Sequence, residues 1–300
     1  PLITLLDAAR SSDIMQSLSQ LYVTGKKDWS TRNECVPTVR TEHAIATLLD
    51  AYRQGINIPS LRDAYPGMVA EVKRLSLRSP DQCLEASGDF WALGQLAEEL
   101  GMTEDAVRWT KRGEEIFDSI WPKEFQNINE TYTKMRGNGL YQGTRWQYRW
   151  GAPMYLPRMI EMAGKKELGE QLQTFFHKEL YNQGNEPDIH VPFLFGRLGM
   201  PQITGNIVRS LATESITIYG NHRSGIAIIN YILLTISGRD FFCSKITHNC
   251  FLQYQVLQYC LCQYPQHQMK YDLLNLLYLH NNMPFHLILV FYLHSYVLSN

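Results

Sequence analysis

Along this chain apolar positions recur every three to four residues with polar or charged ones between them, the period of amphipathic helices. Ser12 and Asp13 stand ahead of Ile14, Leu18, Leu21 and Tyr22, which predicts a first helix with those four on one face and a stop at Gly25. After a loop over 26 to 40, Thr41 serves as an N-cap with Glu42 in the first turn, and Ile45, Leu48, Leu49 and Tyr52 form a stripe that Gly55 closes. Ser60 opens a third helix running to 75 with a bend at Pro66. Ser79-Pro80 reads as a cap followed by a first-turn proline, starting a fourth helix with Leu84, Phe90, Trp91, Leu93 and Leu96 that ends at Gly101. Thr103-Glu104-Asp105 opens a fifth, carrying Val107, Ile116, Phe117 and Ile120, which Pro122 ends. Further helices are predicted over 152 to 163, 165 to 180, 191 to 198 and 202 to 212.

No segment up to 213 alternates as a strand does, so this part is all-α, a train of helical hairpins. Such a train gives an open superhelix or a closed α/α toroid whose funnel is lined by loops. Superhelical units of the tetratricopeptide type repeat about every 34 residues. The hairpins here are longer and unequal, and their connecting loops are rich in Trp, Arg, Asn and Gly, which favours closure.

From about 215 the pattern breaks. Residues 215 to 300 hold six charged side chains (Arg223, Arg239, Asp240, Lys245, Lys270, Asp272), six of the nine His and none of the six Trp. Caps and amphipathic spacing fade together, so local signals no longer agree. The chain therefore divides into 1 to 213 and a tail over 214 to 300. Membrane attachment through 283 to 298 is disfavoured, because that stretch is shorter than the roughly 20 residues a spanning helix needs and His286 and His294 interrupt it. The other reading is translation from an intron or a shifted frame.

Composition narrows the function. A 300-residue chain that is 45% hydrophobic buries a sizeable core in one large or two ordinary domains. A formal net charge of -1 argues against nucleic acid and an anionic membrane as partners. Six Cys without CxxC pairs argue against zinc and a disulfide framework. A start at Pro1 suggests a fragment and leaves the compartment unknown, although Asn129-Glu130-Thr131 is a glycosylation sequon consistent with a secreted full-length parent.

Candidate chemistry concentrates between 139 and 195. The loop Gly139-Leu140-Tyr141-Gln142-Gly143-Thr144-Arg145-Trp146-Gln147-Tyr148-Arg149-Trp150 and the loop Tyr181-Asn182-Gln183-Gly184-Asn185-Glu186-Pro187-Asp188-Ile189-His190 are both dense in aromatic rings and hydrogen-bonding heads. Flat apolar faces beside such heads furnish sugar sites. Trp146 and Trp150 read equally as sugar platforms or as core, and Asp188 in a first turn would favour the helix dipole whatever the function.

Trp146-Gln147-Tyr148, the helix over 153 to 164 and above all the run 180 to 188 resemble glycoside hydrolase family 92, the calcium-dependent exo-acting α-mannosidases. Thr41-Glu42-His43-Ala44, Asp50-Ala51-Tyr52 and the helix over 93 to 101 add to the resemblance, which covers about 1 to 213. It implies a partial (α/α)6 toroid, inverting hydrolysis with one carboxyl as acid and another as base, and a calcium ion that helps distort the mannose ring, with ligands not assigned here. Gln142 stands at the position where the family usually carries its general-acid Glu. Glu186 matches a sugar-binding Glu, with Asn185, Asp188, Arg145, Trp146 and Gln147 as further substrate-binding candidates. His190 departs from the expected pattern, which favours a buried, hydrogen-bonded role for it.

An amide cannot supply the acid's proton. That proton is worth about 10² to 10⁴ in rate for a sugar leaving group, whereas a phosphate, with a second pKa of about 6, departs without it. The expected partner is a mannose-containing glycan, phosphomannosylated in the narrower reading, with Arg145 and Arg149 near enough in sequence to contact the phosphate. The family's base, an Asp in a Gly-Asp/Asn-rich loop, has no counterpart here: beyond Glu214 only Asp240 and Asp272 carry carboxylates. The chain alone is therefore expected to be inactive. The alternative is a non-catalytic helical module that binds a glycan or a protein.

Overall fold

The computed structural model describes residues 4, 7 to 24, 43 to 129, 133 to 182 and 185 to 213. Among these every regular element is helical. The expected stop at Gly25, the caps at Thr41 and Glu42, Glu130 and Thr131 of the sequon, Gln183-Gly184 and the tail from 214 lie outside the described residues. None of the described helices is long and apolar enough to cross a membrane. The described residues fall into two units, divided between Val191 and Pro192.

In the first unit α1 (Ala8–Val23) begins earlier than Ser12, because Asp7 is its cap and accepts from the Arg10 amide at 2.9 Å. Its buried face also differs from the apolar pattern. Ser11, Ser19 and Tyr22 are buried, while Ile14 and Leu21 stay 43% and 41% exposed. Close approach to α3 (Leu61–Val72) decides this. The Ser60 hydroxyl donates to that of Ser19 at 2.9 Å, and a Cβ on Gly67 would lie 2.5 Å from the Tyr22 carbonyl oxygen. Small residues at the crossing outweigh the burial that Ile14 and Leu21 would have contributed.

Between them α2 (Ala44–Arg53) buries Ile45, Leu48 and Leu49 of the expected stripe together with Ala51, while Tyr52 is half-buried against the same core, and Gly55 closes the helix at φ 81°. Pro66 is accommodated inside α3. Ser79 and Pro80 begin α4 (Pro80–Glu99), and Thr103 begins α5 (Thr103–Trp121), as the caps predicted. These two helices pack extensively against one another. A Cβ on Gly94 would meet Thr110 Oγ1 at 2.4 Å, and one on Gly113 would meet the Tyr155 hydroxyl at 2.5 Å, so both glycines set the spacing of the hairpin and its neighbour. Pro122 does not end the helical path. It lacks the N–H of an α-turn, and a π-helical turn, Pro122–Gln126, carries the chain on.

A short helix α6 (Arg145–Tyr148) follows, then α7 (Leu156–Ala163), entered through a 3-10 turn at Pro153–Tyr155, and α8 (Lys165–His177). In the second unit α9 (Leu194–Arg197) packs on α10 (Pro201–Thr213). Thr204 fastens them: its hydroxyl donates to the Pro192 carbonyl at 2.9 Å and accepts from the Gly196 amide at 3.1 Å.

Candidate functional site

The loop bearing Gln142 is held before its side chains come into play. Arg136 takes a left-handed φ of 54° and donates its amide to the Gly143 carbonyl at 2.9 Å, closing the loop on itself. The Tyr141 amide donates to Asp81 Oδ2 at 3.0 Å, tying the loop to the first turn of α4. Thr144 then caps α6 through a reciprocal pair: its hydroxyl accepts from the Gln147 amide at 3.2 Å, and Gln147 Oε1 accepts from the Thr144 amide at 2.8 Å.

Gln147 is 1% exposed and reaches further. Its Nε2 donates to Asp188 Oδ2 at 2.7 Å, an oxygen that also accepts from the Asn182 amide at 2.7 Å. Asn185 completes the junction, donating from Nδ2 to the Gln142 carbonyl at 3.0 Å and, more weakly, to Gln147 Oε1 at 3.4 Å. The two loops read from the sequence as one site are thus a single hydrogen-bonded body. Gln142 is half-buried beside it. Glu186 falls in the 3-10 turn Glu186–Asp188, with its side chain outside the described residues.

Asp188 is fully buried, and burial pushes its carboxyl up to about 7 against the opposing pull of Gln147 and Asn182. Its Oδ1 has no hydrogen-bond partner, and neither has the buried hydroxyl of Tyr181. Burial, followed by the charge of Asp188, raises the Tyr181 phenol above its ordinary value. Tyr181 stacks on Phe176 at 4.8 Å and meets Phe175 edge-on at 6.2 Å.

Other candidates are engaged elsewhere. The Arg145 guanidinium pairs with Glu124 of the π-helical turn at 2.6 Å, both side chains largely buried. Trp146 is 3% exposed, donates Nε1 to the Asn129 carbonyl at 2.9 Å and lies 6.5 Å from the Phe175 ring. Arg149 is fully buried between Trp121 and Trp150, 5.6 and 5.2 Å from their ring centres, and no guanidinium nitrogen has a hydrogen-bond partner. Burial lowers its pKa to about 9. Trp150, equally buried, is core in the structure. His190 is hydrogen-bonded as expected, its Nε2 2.7 Å from the Trp150 carbonyl. Burial holds its pKa down at about 4, so at neutral pH it is an uncharged imidazole donating from Nε2.

Sequence reasoning named both loops but not the bonds between them. Gln147 and Asp188 lie 41 residues apart, and no local pattern encodes that pairing. Among the described residues no group of three or more His, Cys, Asp or Glu is placed to hold a metal. Calcium takes six to eight oxygen ligands, backbone carbonyls and waters among them, so the carboxylates alone do not decide a site for it.

The profile of the glycosyl hydrolase family 92 catalytic domain matches residues 78 to 227. Among solved structures, a GH92 family glycosyl hydrolase is 25% identical with a TM-score of 0.59, over 70% of this chain and 33% of that one. A GH92 alpha-mannosidase from Bacteroides thetaiotaomicron in complex with mannoimidazole is 17% identical with a TM-score of 0.65, over 79% of this chain and 39% of its own. A second structure of that mannosidase gives 19% identity and a TM-score of 0.64, over 79% and 38%. These likenesses support a helical, toroid-like domain as the fold class. The chain spans 33% to 39% of the lengths of these structures. A search of curated proteins finds no match.

Proposed function

This chain belongs to glycosyl hydrolase family 92, and from that premise we propose that it is part of the catalytic domain of an α-mannoside hydrolase whose substrates are mannose-1-phosphodiesters on glycans. The narrower part rests on the resemblance that puts Gln142 where the family carries its general-acid Glu, and the loop that bears it is held by Asp81 and Asn185. An amide there retains the reach of Glu but neither donates a catalytic proton nor repels an anion. A phosphate leaves as an anion unaided, while a sugar alkoxide needs the proton.

Within this reading Gln142 and Glu186 contact the substrate. Asn185, Gln147 and Asp188 serve by fixing the two loops, and Trp146 supports them from behind. Arg145 would meet a phosphate only by sharing its guanidinium with Glu124. No carboxylate is assigned as base: beyond Glu214, residues 215 to 300 carry only Asp240 and Asp272. The second reading is a non-catalytic helical module that binds a glycan or a protein.

The test uses the full-length parent protein. It should release mannose from mannose-1-phospho-6-mannose at least about 10²-fold faster than from α-mannobiose, the low end of what general acid catalysis supplies, and Gln142→Glu should narrow or reverse that preference. Equal rates on the two substrates would sink the phosphodiester reading, and failure to turn over either would favour the module.

A further inference from the structure

A second binding feature lies outside the two loops. Between the turn that follows α3 and the first half of α5 is an open pocket of about 480 Å³. Four cationic side chains line it, Lys73, Arg108, Lys111 and Arg112, against one carboxylate, Glu115. Trp109 forms the floor. Its ring carries Lys73 Nζ and Arg108 Cζ, each 5.7 Å from the centroid, and its Nε1 is anchored on the Tyr65 hydroxyl at 3.0 Å. The tryptophan is therefore a fixed pedestal that presents two cations at the pocket.

The local carboxylates do not neutralise the group. Asp105, half-buried and also bonded by the Tyr65 hydroxyl, pairs with Arg108 at 3.1 Å, and Glu115 pairs with Arg112 at 3.6 Å; the Arg108, Arg112 and Glu115 side chains are exposed, where solvent weakens such pairs. Lys73 and Lys111 have no ion-pair partner among the described residues. Four donors of positive charge from two chain segments converging on one concavity fit a compact multivalent anion better than a neutral sugar. The aromatic floor and a volume several times that of a phosphate leave room for a body attached to the anion.

We propose that this pocket is an accessory site for a phosphate-bearing sugar, separate from the loops around Gln142. The identity of the sugar rests on the reading given under the proposed function; the preference for phosphate rests on the pocket alone. A glycan carrying several phosphates would then be held at two points, which raises its effective concentration at the catalytic loops.

Titration calorimetry on the whole chain with mannose 6-phosphate, inorganic phosphate and mannose tests this, in low salt and again in 0.5 M salt. Mannose 6-phosphate should bind more tightly than either of the others, weaken in high salt, and lose about tenfold in affinity in the Lys73→Glu/Lys111→Glu double variant. Both positions are at the surface, so an unchanged thermal transition serves as the folding control. Phosphosugar affinity that is the same in the double variant, or no binding at all, overturns the pocket. Inorganic phosphate binding as tightly as the phosphosugar overturns the sugar part. The catalytic reading fails separately, on turnover of the diester by the full-length protein.

Discussion

Gln147 donates its side-chain amide to Asp188 at 2.7 Å while its carbonyl oxygen accepts from the Thr144 amide at 2.8 Å, so one buried side chain both caps a helix and joins two loops. Replacing it by Leu removes both functions and leaves the Thr144 amide without its acceptor. A buried group stripped of its partner costs about 1 to 3 kcal/mol. Gln147→Leu should therefore lower the unfolding free energy by about 3 kcal/mol in denaturant titration, and Thr144→Ala, which loses only the cap, by about 1 kcal/mol. An equal loss in the two would show that the link to Asp188 contributes nothing.

Asp188 and His190 give opposing pH dependences. The carboxyl of Asp188 is raised to about 7 in the folded state from 3.8, so between those values the folded protein binds more protons than the unfolded one and this group's contribution to stability falls as pH rises. His190 is lowered to about 4 from 6.5, so its contribution rises with pH over 4 to 6.5. Each slope is at most about 1.4 kcal/mol per pH unit. The wild-type profile should be nearly flat from about pH 4 to 6.5 with respect to these two groups. Asp188→Asn keeps the acceptor for Gln147 and Asn182 and should tilt that profile upward with pH; thermal melts at half-unit steps would show it, and an unchanged profile would refute a raised carboxyl.

Arg149 has no hydrogen-bond acceptor although it is fully buried. A buried charge without hydrogen bonds, even one attracted by the charge of Glu167, is costly, and apolar replacements of similar volume are often neutral or stabilising by about 1 to 4 kcal/mol. Arg149→Met, which retains a flexible chain between Trp121 and Trp150, should leave the melting temperature unchanged or raise it. A fall of several degrees would show that the contacts with the two indole rings outweigh the cost of burying the charge.

Gly94 and Gly113 admit no side chain without movement of α4 and α5. A methyl at Gly94 would meet Thr110 Oγ1 at 2.4 Å and the Thr110 amide nitrogen at 2.7 Å, and one at Gly113 would meet the Ser87 carbonyl at 2.7 Å. Overpacking costs about 1 to 3 kcal/mol, and it outweighs the gain in helix propensity of about 1 kcal/mol from Gly to Ala. Both alanine variants should be less stable than wild type in urea titration. At Gly101, where φ is 75°, alanine should also destabilise, but through backbone strain with no contact within 4 Å.

Much of the helical scaffold could be read from caps and periodicity. Ser60, Ser79-Pro80 and Thr103 mark starts that the structure keeps, although no side chain caps any of the three by a hydrogen bond, so it is the local backbone preference of these residues that was legible. Where the reading failed, tertiary packing decided. Ile14 and Leu21 face outward since the Ser19–Ser60 and Tyr22–Gly67 approaches fix the rotation of α1, and nothing in the first helix records residues forty positions away. Pro122 signalled a stop on local grounds, yet the turn widened instead. For the candidate site the loops were legible from composition, but the placement of Arg149 and the Gln147–Asp188 bond were not. Both depend on what lies across the fold.

The Tyr141–Asp81 and Arg145–Glu124 contacts fasten the Gln142 loop to the first turn of α4 and the end of the α5 path. Both anchors lie at the same end of the α4–α5 hairpin, whose two helices pack extensively against one another. Amide exchange in this loop should consequently follow the opening of those helices, with the protected Tyr141 amide exchanging through the same cooperative event as amides inside α4. A segment without regular structure would then share the lifetime of the helices that carry it, and the geometry around Gln142 would last as long as they stay paired.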